Sequence, residues 1–148
     1  MSPAIWITSK LPPSQRTALE QLVFFNANQH RVRGGIEHSI KTYGAPEIYE
    51  HDGGLRVRVG SVAGVQTLFA VNDTGRPVGV AVFVRLEQDR FVVLHVVAEP
   101  RGDGCPANPV LLRLMNEIRR AARIIRGVHR IELPYKQAHA VRLQTNRA

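Results

Sequence analysis

Residues 94–112, "LHVVAEPRGDGCPANPVLL", carry the residue types with the clearest chemical potential. An apolar segment leads through two glycines and three prolines into a leucine-rich segment. Backbone N–H groups of a glycine-rich turn, together with the N-terminus of a following helix, can bind a phosphate because both carry partial positive charge. The alternative is an ordinary connection between a strand and a helix that binds nothing.

Other kinds of reactive site find little support in the sequence. The six histidines are scattered, with no close His or Cys pair at metal-ligand spacing, so no metal is expected. The string "GSVAG" at 60–64 does not form a nucleophile elbow, because its serine directly follows the first glycine. Cys105 lies beside a predicted helix start, which favours a thiolate, but no histidine partner is identifiable and an inert loop cysteine is favoured.

Composition indicates one globular domain spanning 1–148, since 44% of the 148 residues are hydrophobic and 22% are charged. The single cysteine excludes an internal disulfide, and the first residues lack the features of a secretory signal. We therefore expect a cytoplasmic protein. The longest apolar runs are too short for a membrane span and are typical of buried strands, so no membrane partner is expected.

The charge balance predicts anionic partners, since 20 Lys and Arg face 12 Asp and Glu and give a net charge of +8. Six arginines fall in or just after one predicted helix: Arg113, Arg119, Arg120, Arg123, Arg126 and Arg130. A solvated helix face explains them more simply than a binding surface does. Aromatic residues make up only 6% of the chain and no basic strand interleaves them, so nucleic acid is a compatible but not a favoured partner.

The coarse order of elements follows from hydrophobic periodicity and turn residues. Helices are predicted over 12–30 and 34–44, and from Glu47 the period changes to two. The segments "LRVRV", "TLFAV", "PVGVAVFVRL" and "RFVVLHVV", separated by short turns, are then predicted as successive antiparallel strands. A helix over 109–126, a strand over 128–135 and a short helical or frayed tail complete an α+β, or mixed α/β, domain.

Two stretches resemble the GNAT superfamily of acyl-CoA-dependent N-acetyltransferases. "TLFAVNDTGRPVGVAVFVRL", residues 67–86, is similar to that superfamily's second and third strands, and "LHVVAEPRGDG", residues 94–104, to its fourth strand and pyrophosphate loop. The resemblance covers residues 65–133 in detail and the rest in element order. It implies a GNAT-like fold, with a central, mostly antiparallel sheet, a βαβ crossover and flanking helices.

The resemblance also implies a cofactor, acetyl-CoA as the acyl donor. Leu94 and Val96 match the strand residues whose backbone pairs with pantetheine. In the loop, Arg101 and Gly104 match the family's pattern, and Gly102, Asp103 and Gly104 can present N–H groups to the pyrophosphate. The last loop position departs from the pattern, because Pro106 has no N–H to donate. A second register aligns Glu99, Gly102 and Gly104 with the loop but places an acid where Gln or Arg is expected.

Acetyl transfer to an amine needs a base for the amine and an acid for the leaving thiolate. The family's tyrosine acid would fall near Gln144, where none stands, and Tyr135 is the nearest substitute, with a strand-end anchor as its alternative role. His95 is the only titratable residue along the inner fourth strand, although a core histidine explains it equally. Glu37 and His38 on the second predicted helix are further candidates, with solvent exposure as the alternative.

The resemblance thus implies transfer of an acetyl or acyl group from CoA to an unidentified amine. The alternative is a catalytically weakened GNAT-like module that binds an anionic partner such as nucleic acid. Pro106 supports the second hypothesis, and the intact order of strand, loop and helix supports the first. Either function is compatible with a homodimer.

Overall fold

The structure, a computed structural model, describes residues 4–24, 43–60, 62–99, 109–133 and 139–142. Its strands are β1 (Trp6–Thr8), β2 (Pro46–His51), β3 (Gly54–Val59), β4 (Gln66–Val71), β5 (Pro77–Glu87), β6 (Arg90–Ala98), β7 (Arg130–Leu133) and β8 (His139–Arg142). The helices are α1 (Arg16–Phe24), preceded by a 3-10 turn, and α2 (Pro109–Ile124). Within these residues, one sheet has the order β1-β4-β5-β6-β7-β8, and β2 pairs with β3 in a second sheet. The predicted fold class is confirmed.

Strands β4, β5 and β6 form the antiparallel centre of the large sheet, as the sequence predicts. The first eight residues of β5, "PVGVAVFV", are buried, because helices and strands cover both faces of this strand. A continuous apolar run without alternation is what two-sided burial requires. The second predicted helix, over 34–44, falls almost entirely outside the described residues.

The segment "LRVRV" does not join the large sheet, which corrects the prediction of one continuous meander. It lies in β3 and pairs with β2 across a two-residue turn, Asp52–Gly53. Both turn residues have positive φ, 52° and 75°, as the tight turn that matches strand twist demands. The small sheet is tied to β4 by the Thr67 hydroxyl, which donates to the Val57 carbonyl at 3.0 Å and accepts from the Val57 N–H at 3.3 Å.

Two apolar layers enclose the large sheet. On one face, α1 and the β2–β3 hairpin cover alternate residues of β5 and β6. On the other face, α2 packs against the intervening residues. The helix residues buried in these layers are Leu19, Leu22 and Val23 of α1 and Val110, Leu114, Ile118 and Ala122 of α2. Leu111 is partly buried against the same layer.

Helix α2 begins at Pro109, whose fixed φ and missing N–H suit the first helical position. It ends at Ile124, and Gly127 follows with a φ of 94°, a conformation that favours glycine. The Arg85 guanidinium donates to the Arg126 carbonyl at 3.3 Å, so the chain beyond the helix is fastened to the end of β5.

The crossover from β6 through α2 to β7 brings two strands together in parallel. Arg90, Phe91 and Val92 lie opposite Arg130, Ile131 and Glu132, which confirms the predicted parallel pairing.

The C-terminal segment was expected to be helical or frayed, and this expectation is wrong for residues 139–142. They form β8, which pairs antiparallel with β7 from Arg130↔Arg142 to Leu133↔His139. The outer edge of β7 offers a row of backbone donors and acceptors, and pairing with it outweighs the weak local preference of the segment. At the opposite edge lies the three-residue strand β1, which pairs with β4 and leaves Trp6 53% exposed.

Leu114 provides a test of the inner face of α2. Its side chain is fully buried, so Leu114→Ala should lower the free energy of unfolding by about 2–5 kcal/mol through lost transfer energy and a cavity. The matched control is Leu112→Ala on the same helix, where the side chain is 56% exposed and the expected change is about 0.5 kcal/mol or less. Equal effects in chemical denaturation would contradict the assigned face.

Gly79 on β5 tests how closely α2 approaches the sheet. A Cβ at this position would lie 2.4 Å from Cγ1 of Val110, a β-branched side chain with few rotamers in a helix. Gly79→Ala should therefore lower the free energy of unfolding by about 1–3 kcal/mol through overpacking. Gly54→Ala is the control, because its nearest atoms lie at 3.7 Å. A Gly79 variant as stable as the Gly54 variant would show that the helix shifts freely.

Candidate functional site

The C-terminal half of β6 is where the sequence places the cofactor, and the structure gives this strand a β-bulge. Val82 lies opposite His95, and the next residue, Phe83, lies opposite Val93. Leu94 is therefore the extra residue of β6. A bulge bends a strand locally and changes the direction of its side chains and backbone groups.

The two β6 residues predicted to bind pantetheine face different layers. Leu94 is 1% exposed in the layer beneath α1, and Val96 is partly buried against the layer beneath α2. Because both side chains pack in apolar layers, a cofactor would bind to the backbone groups of these residues, as the resemblance implies. The periodicity of "FVVLHVV" gave no sign of the bulge, because every residue in this stretch is compatible with burial.

Strand β5 connects the first turn of α2 with the end of β6. Gly79 pairs with Ala98, the last residue of β6, and its Cα lies close to Val110 in that first turn. The start of α2 and the end of β6 therefore lie close together, at the edge of the sheet that is formed by the end of β6 and the start of β5. The loop residues predicted to bind phosphate, Arg101 to Gly104, and also Pro106, lie outside the described residues.

An ion pair that the sequence did not reveal lies at this same edge. Arg76, just before β5, donates from Nη1 and Nη2 to the two carboxylate oxygens of Glu99, at 2.7 and 3.2 Å. The Glu99 N–H also donates to the Val78 carbonyl at 2.8 Å. Arg76 and Glu99 are 23 residues apart, so only the pairing of β5 with β6 brings them together. In the sequence, Glu99 is the acidic residue that the second register places where the loop pattern has Gln or Arg.

His95, the predicted base on the fourth strand, is buried, with 3% of its surface exposed. Because it lies directly opposite Val82, it faces the layer beneath α1. Burial lowers the pKa of His95 to about 4, since the charged imidazolium would lose its hydration. The structure favours the core role that the sequence left open.

Strand β7 supplies a carboxylate that the sequence of β6 does not contain. Glu132 on β7 lies beside Val92 of β6, and its side chain is 26% exposed. It accepts a hydrogen bond from the Arg90 guanidinium, which raises the pKa of Arg90 above its ordinary value. Val92 belongs to the layer beneath α1, so Glu132 lies on that face too. The candidates Tyr135, Glu37 and His38 lie outside the described residues.

Comparison with solved structures identifies the architecture. An acetyltransferase of the GNAT family from Staphylococcus aureus Mu50 matches with a TM-score of 0.52 and 14% identity, over 88% of this chain and 73% of that one. Nourseothricin acetyltransferase matches with a TM-score of 0.44 and 18% identity, over 88% and 72% of the two chains. N-acetylglutamate synthase from Neisseria gonorrhoeae, in complex with coenzyme A and N-acetyl-glutamate, gives 0.38 and 13%, over 90% and 26%.

The chain therefore has the GNAT fold, which confirms the fold that the resemblance implied. No protein-family model matches the sequence, and a comparison with curated proteins also finds no match. Among the described residues, no helix is both long and apolar enough to cross a membrane. No group of three His, Cys, Asp or Glu side chains in this part of the chain is arranged to hold a metal ion.

The buried His95 predicts a specific pH dependence of stability. Its folded pKa of about 4 lies below the ordinary value of 6.5, so the unfolded chain takes up the proton first as the pH falls. Stability should fall between about pH 6.5 and pH 4, by at most about 1.4 kcal/mol per pH unit, and this contribution should level off below the folded pKa.

The measurement is the free energy of unfolding at about pH 7 and about pH 5. Relative to His95→Gln, which cannot titrate, the wild type should lose about 2 kcal/mol more on acidification. His129→Gln, the same substitution at an exposed histidine, is the matched control. Parallel losses in wild type and His95→Gln would contradict a histidine that is buried uncharged.

Proposed function

We propose that this protein transfers an acetyl or related acyl group from CoA to an amine. The observation that carries the proposal is the β6–α2–β7 crossover within a GNAT fold, with a bulge in β6 and the start of α2 packed against Gly79. This arrangement gathers a bent strand and a helix N-terminus at one sheet edge, and helix N-termini favour anions.

In this proposal the backbone of β6 from Leu94 to Val96 binds the pantetheine arm. Arg101, Gly102, Asp103 and Gly104, which follow β6 in the sequence, would supply N–H groups and one guanidinium able to form forked hydrogen bonds to the diphosphate. The residues present suit CoA at this edge, because the close contact of Gly79 with Val110 holds the helix start beside the strand end. When bound, acyl-CoA supplies the thioester carbon that the amine nitrogen attacks.

The transfer forms a C–N bond and breaks the C–S bond, so one proton must leave the amine and the departing thiolate must gain one. We assign the first role to Glu132, whose carboxylate lies beside β6 on the α1 face and is held by Arg90. Tyr135, two residues beyond β7, is the candidate donor to the thiolate. Glu37, from the predicted second helix, is an alternative acceptor, and the burial of His95 makes it the weakest of the four.

The affinity for acetyl-CoA tests this proposal directly. Arg101→Ala should weaken acetyl-CoA binding about tenfold in a calorimetric titration, because one charge-assisted contact is lost while the backbone N–H groups remain. Arg120→Ala is the matched control: its side chain is 75% exposed on α2, and its loss removes the same charge away from the helix start.

Wild-type protein that gives no heat and no thermal shift with millimolar acetyl-CoA would overturn the transferase proposal and favour the GNAT-like binding module. If the wild type binds, release of free thiol should be followed with pooled small primary amines. Glu132→Gln should then retain acetyl-CoA affinity and lose transfer, with Glu87→Gln, the other Arg90 partner, as its control.

A further inference from the structure

Helix α2 packs one side against the sheet and leaves the opposite side exposed to solvent. The inner side is marked by the buried residues of the helix, which are Val110, Leu114, Ile118 and Ala122. Since successive residues of an α-helix are rotated by about 100°, the outer side carries six others: Leu112, Arg113, Asn116, Arg119, Arg120 and Arg123. Five of these six are exposed, and Arg119 is partly buried. Every arginine of the helix therefore lies on its outer side.

These four arginines, Arg113, Arg119, Arg120 and Arg123, form what we call the arginine face of α2. Asn116 lies near its middle. The helical rotation places Arg119 and Arg123 to one side of this middle line, and Arg113 and Arg120 to the other. A partner that carries two rows of negative charge would therefore meet arginines with both rows.

One acidic residue belongs to the helix, and it does not cancel this charge. The Glu117 side chain is 35% exposed, and its carboxylate lies 3.6 Å from the guanidinium of Arg120, whose side chain is 75% exposed. An ion pair so exposed to water is weak. With four arginines against one glutamate, the outer side of α2 keeps an excess of positive charge.

The exposed apolar residues of α2 do not form a patch that suits a membrane or an apolar protein surface. Leu112 and Ile124 are 56% and 77% exposed. They are separated by about 18 Å along the helix and by about 120° around it. Binding in a membrane surface requires a continuous apolar face. The arginine face is therefore suited to a partner that is recognised by its charge.

Double-stranded DNA matches the arginine face in both shape and charge. The major groove of B-form DNA is about 12 Å wide, close to the diameter of a helix with its side chains, about 10–12 Å. A row of phosphates borders the groove on each side, and a guanidinium binds a phosphate through forked hydrogen bonds. The deep, narrow major groove of A-form RNA does not admit a helix. Helix α2 also has no aromatic side chain on which single-stranded bases would stack.

We propose that the arginine face of α2 binds the phosphates of double-stranded DNA, with the helix lying along the major groove. Because the contacts go to the backbone, binding depends little on base sequence and strongly on salt. The arginine face points away from the sheet and takes no part in the proposed acetyl transfer. DNA binding and CoA binding can therefore succeed or fail independently.

Fluorescence anisotropy with a labelled DNA duplex two helical turns long tests the proposal. The wild type should bind with a Kd of about 1–100 µM near physiological salt, as is typical of contacts to the backbone. Arg113→Gln, Arg120→Gln and, on the other side of the face, Arg123→Gln should each weaken binding about fivefold. Each should also make the slope of log K against log salt less steep by about 1, because one phosphate contact is lost. Glutamine preserves the helix propensity, so the denaturant midpoint should stay at the wild-type value.

Two matched comparisons separate the arginine face from the net charge of the whole protein. Arg16→Gln on α1 removes the same charge from a helix in the other layer, where the side chain is 47% exposed, and should change the affinity by about twofold or less. Glu117→Gln should tighten DNA binding about threefold, since it removes the negative charge beside Arg120. Glu20→Gln on α1 is its control and should leave the affinity unchanged.

Several results would overturn the proposal. A wild type that does not bind the duplex even at low salt, or an Arg16→Gln variant as weak as Arg120→Gln, would show that α2 has no DNA-binding face. Tighter binding to an RNA duplex or to single-stranded DNA would contradict a fit to the major groove. Competition by polyglutamate as strong as by unlabelled duplex, or binding to phosphatidylserine vesicles that the duplex does not reverse, would assign the face to an acidic protein or a membrane instead.

Discussion

The two-sided burial of β5 is the constraint on which the other elements depend. A strand with eight consecutive buried residues needs cover on both faces, and α1 with the β2–β3 hairpin supplies one layer while α2 supplies the other. Gly79 sets how near α2 can come, since any side chain there would collide with Val110. The distance between the end of β6 and the start of α2 is therefore fixed by a position that carries no chemistry.

Much of the fold was accessible from periodicity and turn residues, because these signals are local. The antiparallel centre, the extent of α2 and its termination near Gly127 all follow from patterns within short windows. The choice of strand partners is not local. "LRVRV" has the same alternation whether it joins the large sheet or a separate hairpin, and residues 139–142 become a strand only because β7 offers them an edge.

The candidate site also combines features that the sequence predicts with features that depend on strand pairing. The glycines and the helix start between β6 and α2 were evident as a pattern, and the resemblance gave them a cofactor. The bulge at Leu94 was hidden, because neighbouring apolar residues all suit a buried strand. The Arg76–Glu99 and Arg90–Glu132 ion pairs were hidden because each joins residues that are far apart in the sequence. Pair geometry of this kind follows from topology and cannot be read from spacing.

The edge strand β1 has a spectroscopic consequence. Trp6 is the only tryptophan in the chain, and it stands on a three-residue strand held by β4. Three strand spacings, about 14 Å, separate β1 from β6 across the sheet. The fluorescence emission of Trp6 therefore reports on the pairing of β1 with β4. A change in emission when a ligand binds at the end of β6 would mean that binding alters the strand pairing across β5 and β4 as far as β1. Unchanged emission would mean that the sheet keeps its conformation when the ligand binds.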